Sequence, residues 1–318
     1  MISVIIPVHN AAHSIQACLT ALQNQQNPPG QYEIIVVDDG STDDTAHIAC
    51  NAGVQIVSQH KQGPASARNA GLAHASGEIV CFTDADCVPA PNWLHEITAP
   101  LLANETVTAV KGAYITHQKQ LFARFVQIEY EEKYDQLLAH DTISFMDFYS
   151  AACRRQALID IGQFDERYPN SEDRELSYRL AAAGHIMVFQ PTAVVSHHHA
   201  DTFWRYFRKK VANGYWTAQA VRQFPERIVN DTYTPPTQKI QIALMGLLLP
   251  LIALSLILPI VWPAALLVGL VFLASTLPFA RKAWQKDRVV ALLSPWLLAV
   301  RAAALGIGYG WGMVRPIS

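Results

Sequence analysis

The chain changes character at about residue 240, where it becomes almost entirely apolar. From Ile240 to Trp262 the residues are apolar apart from Gln241 and Ser255. An apolar stretch of about 20 residues is long enough to cross a bilayer as a helix. We therefore expect a membrane helix here, followed by a second, shorter one over 263–280.

A third apolar stretch, residues 289–311, has several interpretations. It contains Arg301 and several glycines, so it can span the bilayer, re-enter it or lie on its surface. Four cations precede it in residues 281–288, whereas the turn between the first two membrane helices carries no Lys or Arg. Because cationic loops stay in the cytosol, we expect a multi-pass membrane protein whose N-terminal domain is cytoplasmic.

Composition divides the chain into three regions. Residues 1–230 have the composition of a soluble domain, 231–239 form a linker with two prolines, and 240–318 form a membrane segment with two or three hydrophobic helices. Within the first region, 201–224 mixes aromatic residues with Arg and Lys. This segment is either an interfacial helix that contacts anionic membrane lipids or a helix whose aromatic residues belong to the core.

Charge and cysteine content exclude some classes of function. The formal net charge of −2 gives no reason to expect a nucleic acid partner. The five cysteines show no Cys-x-x-Cys spacing, which indicates reduced thiols of a cytosolic domain and not a disulfide framework. The N-terminus enters a strand-like run at once, so we expect no signal peptide.

The first 82 residues alternate short apolar runs with helical patterns. The runs, which are typical of strands buried on both faces, are 2–8, 33–37, 54–57 and 78–82. This alternation predicts an α/β fold with a doubly wound, mostly parallel sheet. Later strands are expected at 107–115, 145–152, 186–189 and 193–195. A long helix over 118–138 is expected to expose its acidic face to solvent.

The fourth apolar run is followed by two carboxylates, Asp84 and Asp86. In an extended chain, side chains at i and i+2 point to the same side. Two adjacent carboxylates repel each other unless a cation lies between them, and oxygen ligands suit Mg²⁺ or Mn²⁺. Asp84 and Asp86 are therefore candidate metal ligands, although a solvated loop after a strand has the same pattern.

Other chemically active side chains are expected near the same edge of the sheet. Asp39 ends the second strand, at the edge where open α/β sheets bind ligands. Arg68 lies in a helix of small residues and is free to face a phosphate, or it is an ordinary surface arginine. Glu172 and Asp173 open a predicted helix, where the helix dipole favours them or one acts as a general base. His197 ends a strand and can complete a metal site, or it is simply solvated.

Taken together, these motifs resemble the inverting glycosyltransferases of family 2, which have a GT-A fold. The matching segments, in chain order, are 3–10, 37–43, 67–71, 83–86 and 172–173. The resemblance covers roughly residues 2–210. No Gly-x-Gly-x-x-Gly and no phosphate loop follow the first strand, so the dinucleotide-binding fingerprint is absent.

The resemblance implies a donor site for a nucleotide-diphosphate sugar. Pro7 and Asp39 would line the nucleotide pocket, with Asp39 near the base. Arg68 would lie near the diphosphate. Asp84 would meet the ribose or the metal.

The resemblance also implies a metal site and a base. Asp86 would bind the divalent metal, Mn²⁺ or Mg²⁺, and His197 matches a position where some relatives place a further ligand. Asp173 would be the base that deprotonates the acceptor hydroxyl, with Glu172 supporting it. A single displacement at C1 inverts the anomeric centre, so no protein nucleophile is required.

The implied function is that of a membrane-anchored, metal-dependent, hexosyltransferase-like enzyme of cell envelope glycan synthesis. Its partners would be a nucleotide-diphosphate sugar and a hydroxyl acceptor, for which a lipid or lipid-linked molecule is one candidate. Processive synthases of the family carry Gln-x-x-Arg-Trp, and here Gln223 replaces that Trp after Gln219 and Arg222. This departure favours a single transfer.

Two other classes of function remain open. A nucleotidyltransferase also uses a doubly wound sheet and a metal, but it normally needs a glycine-rich loop after the first strand, and 7–10 offers none. A sensor or scaffold would bind a nucleotide-sugar without turnover.

Overall fold

The structure, a computed structural model, describes residues 1–168, 171–228 and 231–315. The chain divides into two compact units. Unit 1 contains Met1–His117 and Leu137–His198, and unit 2 contains Gln118–Gln136 and the residues from His199 onward. The predicted domain boundary at 231–239 stays a prediction, because a division by contacts does not show which part folds alone.

Unit 1 is built on one sheet, which has eight strands within the residues that the structure describes. The strands are β1 (Ile2–Val8), β2 (Tyr32–Asp39), β3 (Gln55–Gln59), β4 (Ile79–Thr83), β5 (Cys87–Pro89), β6 (Val107–Ile115), β7 (Ser150–Arg154) and β8 (Ile186–His197). Their spatial order is β3-β2-β1-β4-β7-β6-β8-β5. β1 to β4 are mutually parallel, β6 is parallel to β8, and β7 and β5 run antiparallel to their neighbours. The mostly parallel α/β fold is confirmed.

The helices of unit 1 connect these strands. They are α1 (Ile15–Gln23), α2 (Thr45–Asn51), α3 (Pro64–His74), α4 (Trp93–Ala103), α6 (Arg155–Asp160) and α7 (Glu172–Ala182). α3 lies very close to the sheet: a Cβ on Gly71 would meet Ile5 Cγ2 at 2.4 Å. The small residues of α3 therefore set the distance at which Arg68 stands from the strand ends.

Two strand predictions were wrong in detail. Residues 145–149 are buried but irregular, and the strand begins only at Ser150. The two short strands predicted at 186–189 and 193–195 form the single strand β8. The polar residues between them do not end the strand, because a register shift opposite Lys111 and Ala113 of β6 accommodates them.

Unit 2 is helical among its described residues. Its helices are α5 (Leu121–Leu138), α8 (Phe203–Gln223), α9 (Pro236–Ser255), α10 (Trp262–Ser275), α11 (Leu277–Lys286) and α12 (Arg288–Val314). α9 begins inside the predicted linker, and most of the cationic segment predicted as a loop at 281–288 is the end of α11.

Aromatic and aliphatic side chains form the core of unit 2. Phe125 of α5, Tyr206 of α8, Phe279 of α11 and Leu297 of α12 are all buried in one cluster. α12 also lies against α8 without intervening side chains, because a Cβ on Gly308 would meet the carbonyl oxygen of Val211 at 1.9 Å. The segment predicted at 201–224 thus supplies core residues.

The acidic face predicted to be solvated on the long helix is partly buried. Glu129 of α5 is 2% exposed, and its carboxylate pairs with Lys210 Nζ at 3.1 Å and with Arg301 Nη1 at 3.4 Å. The prediction was wrong for Glu129 because its cations come from α8 and α12, which are distant in sequence.

Three helical segments of unit 2 are long and apolar enough to cross a membrane. They are Pro236–Ser255, Pro259–Lys286 and Arg288–Val314. Buried residues make up 11%, 17% and 50% of their most apolar windows, respectively. The first two therefore present most of their apolar surface outward, whereas the third is half covered by the unit itself.

Candidate active site

The candidate site of unit 1 is built at the carboxyl ends of β1, β2 and β4. Pro7 lies one residue before the end of β1, opposite Val37 of β2, and Phe82 of β4 pairs with Ile5. Because these strands are parallel, the residues that follow them meet at one edge of the sheet. The predicted donor residues Asp39 and Asp84 lie at that edge.

Asp39 is buried and makes three hydrogen bonds inside the protein. Its carboxylate accepts from Gln59 Nε2 at 2.7 Å and from the backbone N–H groups of Gln62 at 2.7 Å and Gly63 at 2.8 Å. Asp39 therefore fixes the loop between β3 and α3, and its implied position beside a nucleobase stays a prediction.

Arg68 joins two of the predicted acids. Its guanidinium is 5% exposed, and Nη2 donates to Asp84 Oδ1 at 3.0 Å while Nη1 donates to Glu172 Oε1. Burial raises the pKa of Asp84 above its ordinary value, and the charge of Arg68 opposes that rise. The guanidinium thus holds the end of β4 and the start of α7 in a fixed relation.

Asp86 and His197 come together next to this network, where the charges of both act on Asp84. Cys87 of β5 pairs with His197 of β8, which brings Asp86 Oδ1 to 3.4 Å from His197 Nδ1. Cys87 Sγ lies 3.8 Å from the same nitrogen. A divalent cation bonds oxygen or nitrogen ligands at about 2.1 Å, so Asp86 and His197 can bind one ion without rearrangement.

Cys87 was not predicted as part of this group. One ligand atom from each of Asp86, Cys87 and His197 lies within 4.8 Å of the other two. Burial raises the pKa of the Cys87 thiol well above its ordinary value, and a protonated thiol is a poor ligand for a hard cation. The fit therefore rests on the carboxylate and the imidazole.

Asp173 lies in the first turn of α7 and is half-buried. Its Oδ1 accepts a hydrogen bond from the backbone N–H of Arg174 at 2.7 Å. Burial, with the negative charges of Glu172 and Asp147, raises the pKa of Asp173 to about 7. The carboxylate that forms near neutral pH is a stronger base than an ordinary aspartate, as general base catalysis requires.

A buried ion pair behind Asp173 was missed by the sequence analysis. Lys111 of β6 is fully buried and pairs with Asp147, and its Nζ donates to the Tyr149 hydroxyl at 3.0 Å. Burial lowers the pKa of Lys111, and the charge of Asp147 opposes this. The sequence signal for this pair was Lys111 itself, a single lysine inside the mostly apolar run 107–115. Its partner, Asp147, lies in an irregular segment whose sequence has no periodic pattern.

Residues 3–162 match the family model described as glycosyl transferase family 2. This match covers half of the chain and includes the strand-end residues Asp39, Asp84 and Asp86. The chain belongs to glycosyl transferase family 2. The resemblance stated from the motifs is confirmed at this level, whereas Glu172, Asp173 and His197 lie beyond the matched residues.

Several glycosyltransferases are similar over more than half of the chain. The pre-mycofactocin glycosyltransferase of Mycobacterium tuberculosis is 30% identical over 238 residues, which are 71% of this chain and 48% of that protein. Glycosyltransferase AglE of Haloferax volcanii is 27% identical over 224 residues, covering 67% of this chain and 71% of that protein. An uncharacterized glycosyltransferase of Mycobacterium bovis is 31% identical over 190 residues, and the matched region covers 80% of that protein. The chain spans about half the length of the first of these relatives.

Solved structures share the GT-A fold of this family. One is the mannosyltransferase PcManGT of Pyrobaculum calidifontis in complex with GDP-Man and Mn²⁺, with a TM-score of 0.63 at 23% identity. The superposed region covers 98% of this chain and 86% of the PcManGT chain. Glucosyl-3-phosphoglycerate synthase of Mycobacterium tuberculosis has a TM-score of 0.51 at 21% identity. The superposed region covers 70% of this chain and 79% of the synthase chain. At these identities the likeness shows the fold alone.

Proposed function

We propose that this family 2 member is a membrane-anchored, metal-dependent, inverting glycosyltransferase. It moves a sugar from a nucleotide-diphosphate sugar to a hydroxyl acceptor. One arrangement carries the proposal: Arg68 ties Asp84 at the end of β4 to Glu172, and Asp173 follows Glu172 in the first turn of α7. A poised base and a strand-end donor site are the two parts that such a transfer needs.

The donor side of the site is pre-organised by Arg68. Two nitrogens of its guanidinium hold Asp84 and Glu172, and its Nε has no hydrogen-bond partner among the described residues although it is buried. A buried N–H without a partner is costly, so a ligand oxygen that accepts from it gains binding energy. A diphosphate oxygen fits this requirement.

Asp86 and His197 are the residues that would hold the divalent cation. When bound there, Mn²⁺ or Mg²⁺ would neutralise negative charge that develops on the leaving nucleoside diphosphate. Asp86 is exposed and keeps its carboxylate accessible, while His197 is fixed by the stacking of its ring on Tyr114 at 4.8 Å. Support for a metal also comes from the Mn²⁺ in the PcManGT complex.

Asp173 accepts the proton of the acceptor hydroxyl as the acceptor oxygen attacks C1 of the sugar. The new C1–O bond forms on the face opposite to the breaking bond, and the electron pair of that bond leaves with the diphosphate. The configuration at C1 is therefore inverted in one step, and the proton ends on Asp173. Glu172 remains paired with Arg68 and does not compete for this proton.

The membrane anchor is formed by the α9–α10 hairpin. No Asp, Glu, Lys or Arg occurs between Lys239 and Arg281, and most of the surface of this hairpin is uncovered in unit 2. Arg281, Lys282 and Lys286 of α11 follow the hairpin. The positive-inside rule therefore supports a cytoplasmic catalytic domain, on the side that supplies nucleotide-sugars.

We assign α12 to the membrane interface, not to a third crossing. Arg301 in its middle pairs with Glu129 and Glu132 of α5 and donates to Gln241 Oε1 at 2.8 Å. α12 also packs along α8, which exposes several cations that hydrocarbon would not tolerate. Because α12 is bound to the charged helices α5 and α8, we place it with them at the membrane interface. This position suits a lipid or lipid-linked acceptor.

A thermal-shift screen of nucleoside diphosphates with and without Mn²⁺ tests the donor part of this proposal. We expect one base to stabilise the protein only when Mn²⁺ is present, and Asp86→Ala to abolish that stabilisation. Transfer is then assayed with the corresponding nucleotide-sugars. Binding without turnover across many hydroxyl acceptors would favour a sensor, and no metal-dependent binding of any nucleotide would contradict the proposal.

A further inference from the structure

Unit 2 contains a polar, partly open cavity between α5 and α8 that the transfer reaction does not use. Its volume is about 40 Å³, enough for a few water molecules or a small oxyanion. The lining residues are Val126, Glu129, Tyr130, Lys133, His199, Ala200, Tyr206, Lys209, Lys210 and Asn213. All of them belong to unit 2.

Cations dominate the charge of this cavity. Lys133, Lys209 and Lys210 line it, and Glu129 is the only acidic residue among the described residues of its wall. Lys210 and Arg301 already flank the Glu129 carboxylate at 3.1 and 3.4 Å. The cavity therefore keeps a net positive charge after Glu129 is neutralised.

The surrounding cations favour the ionised form of Glu129, whereas burial lowers the pKa of Lys210 and the charge of Glu129 opposes that fall. Burial acts to raise the pKa of Glu129, but Lys210, Arg301 and Lys133 together hold that pKa below its ordinary value. Tyr206 Oη lies 3.2 Å from Glu129 Oε1 and adds a hydrogen bond to the carboxylate. The Glu129 carboxylate thus has its cationic partners, and Lys133 and Lys209 are the other two lysines among the residues that line the cavity.

The wall of the cavity is fixed by buried polar and aromatic groups. His199 is 4% exposed, its ring stacks on Tyr130 at 5.4 Å, and its Nε2 lies 3.3 Å from Gln127 Oε1. Lys133 Nζ lies over the rings of Tyr130 at 5.3 Å and Tyr233 at 4.5 Å. These contacts limit the conformations of the lysine, so less entropy is lost when it binds a ligand.

We propose that this cavity binds a phosphate group, either as free phosphate or as the headgroup of a lipid. Compact ammonium groups are well suited to the oxygens of a phosphate, and Lys133 and Lys209 line this space in addition to Lys210, which pairs with Glu129. The same charge repels metal cations. α5 and α8 pack with α11 and α12, so the cavity belongs to the part of the chain that we place at the membrane surface, where lipid phosphates are abundant. The inference goes beyond the proposed transfer and does not depend on it.

The test uses the full chain in phosphatidylcholine nanodiscs with EDTA, so that no divalent metal supports donor binding. One arm titrates inorganic phosphate by calorimetry. The other arm replaces part of the phosphatidylcholine by phosphatidic acid, a phosphate monoester, or by phosphatidylglycerol, which has a phosphodiester headgroup, and measures the melting temperature. The comparison of these two anionic lipids separates recognition of the headgroup from attraction to a charged surface.

Two variants and a matched control decide whether the cavity is responsible. Lys133→Gln/Lys209→Gln removes two lining charges and is expected to weaken binding by about tenfold per lysine. Ala200→Phe fills the cavity without changing charge and is expected to abolish binding. Arg205→Gln/Arg208→Gln removes the same number of charges from exposed positions of α8 and is expected to change affinity by less than about twofold, since neither arginine lines the cavity.

Each outcome supports or overturns the proposal. Calorimetric binding of inorganic phosphate that both cavity variants lose supports a site for free phosphate. Stabilisation by phosphatidic acid alone, lost in the same variants, supports a lipid headgroup. No response in either arm, or equal losses in the cavity variants and the arginine control, would overturn it. Because neither arm involves sugar transfer, a failed transferase assay leaves this result unaffected.

Discussion

At the scale of single residues, the candidate site depends on buried charges whose partners are fixed. Glu172 pairs with Arg68, and Asp147 pairs with Lys111. Asp173 stands beside both carboxylates and has a backbone N–H as its hydrogen-bond donor. Burial, with the charges of these neighbours, therefore raises the pKa of Asp173, and this is the property that suits it to accept a proton.

The raised pKa of Asp173 predicts a pH-dependent stability. Its pKa is about 7 in the folded protein, against an ordinary value of 3.8. Between these values the unfolded chain is ionised while the folded protein holds the proton, so this group lowers wild-type stability as the pH rises from about 4 to 7. We expect Asp173→Asn to remove that loss. Calorimetric melting of both proteins should show a difference that grows up to pH 7 and then stays constant; parallel curves would contradict the raised pKa.

The Lys111–Asp147 pair predicts strong non-additivity. Lys111→Met or Asp147→Asn alone leaves a buried charge without its partner, which costs about 3–5 kcal/mol. The double variant removes both charges and should be more stable than either single variant. Chemical denaturation of the four proteins measures this coupling. Additive losses would show that the two charges do not interact.

The sequence predicted the acids of the candidate site but not all of the side chains that the structure places beside them. Asp84 and Asp86 were identifiable because they follow a buried strand, and this position depends only on local pattern. The contact of Asp86 with His197 depends on the pairing of β5 with β8. β5 has only three residues and therefore no sequence pattern of its own. Cys87 was missed for the same reason.

At the scale of elements, predictions succeeded where burial on both faces gave a mostly apolar run. β1 and β6 have the predicted bounds, 2–8 and 107–115. The strand predicted at 145–152 was wrong over residues 145–149, because buried residues are equally apolar in an irregular segment. The acidic face of α5 failed at Glu129, since an amphipathic pattern cannot show that another helix brings a cation to the polar side.

The close contact of α8 and α12 predicts opposite effects for two nearby glycines. A Cβ on Gly308 would meet the Val211 carbonyl oxygen at 1.9 Å, whereas one on Gly310 meets nothing within 4 Å. We expect Gly308→Ala to destabilise unit 2 by about 1–3 kcal/mol through overpacking. Gly310→Ala should stabilise it by up to about 1 kcal/mol, since alanine favours the helix. Melting in nanodiscs checks both, and a similar effect of the two substitutions would contradict the contact.

At the scale of the whole molecule, the alternation of apolar runs and helical patterns predicted the α/β fold, composition predicted the apolar helices, and both are present. Composition did not predict the membership of the two units. α5 and α8 have mixed sequences, yet Phe125 and Tyr206 share a core with Phe279 and Leu297 of the apolar part. Residues that share a core are often far apart in sequence, and a hydropathy pattern does not show which of them pack together.

The interfacial position of α12 predicts the side on which the chain lies after that helix. A reporter fused after Arg315 should read as cytoplasmic, the same side as a reporter at the N-terminus. A control reporter inserted in the turn at 256–258 should read as external, because the α9–α10 hairpin crosses the membrane. An external reading after Arg315 would show that α12 spans the bilayer.

The most direct test of the account compares sugar transfer by wild type and by Asp173→Asn, with the donor identified by the thermal-shift screen. We predict that Asp173→Asn still binds that donor with Mn²⁺ but transfers sugar about 10²–10⁴-fold more slowly, as expected for loss of a general base. Wild-type kcat/KM should fall below a pH of about 7, where Asp173 becomes protonated. Undiminished transfer by Asp173→Asn would contradict the assignment of the base and with it the proposed mechanism.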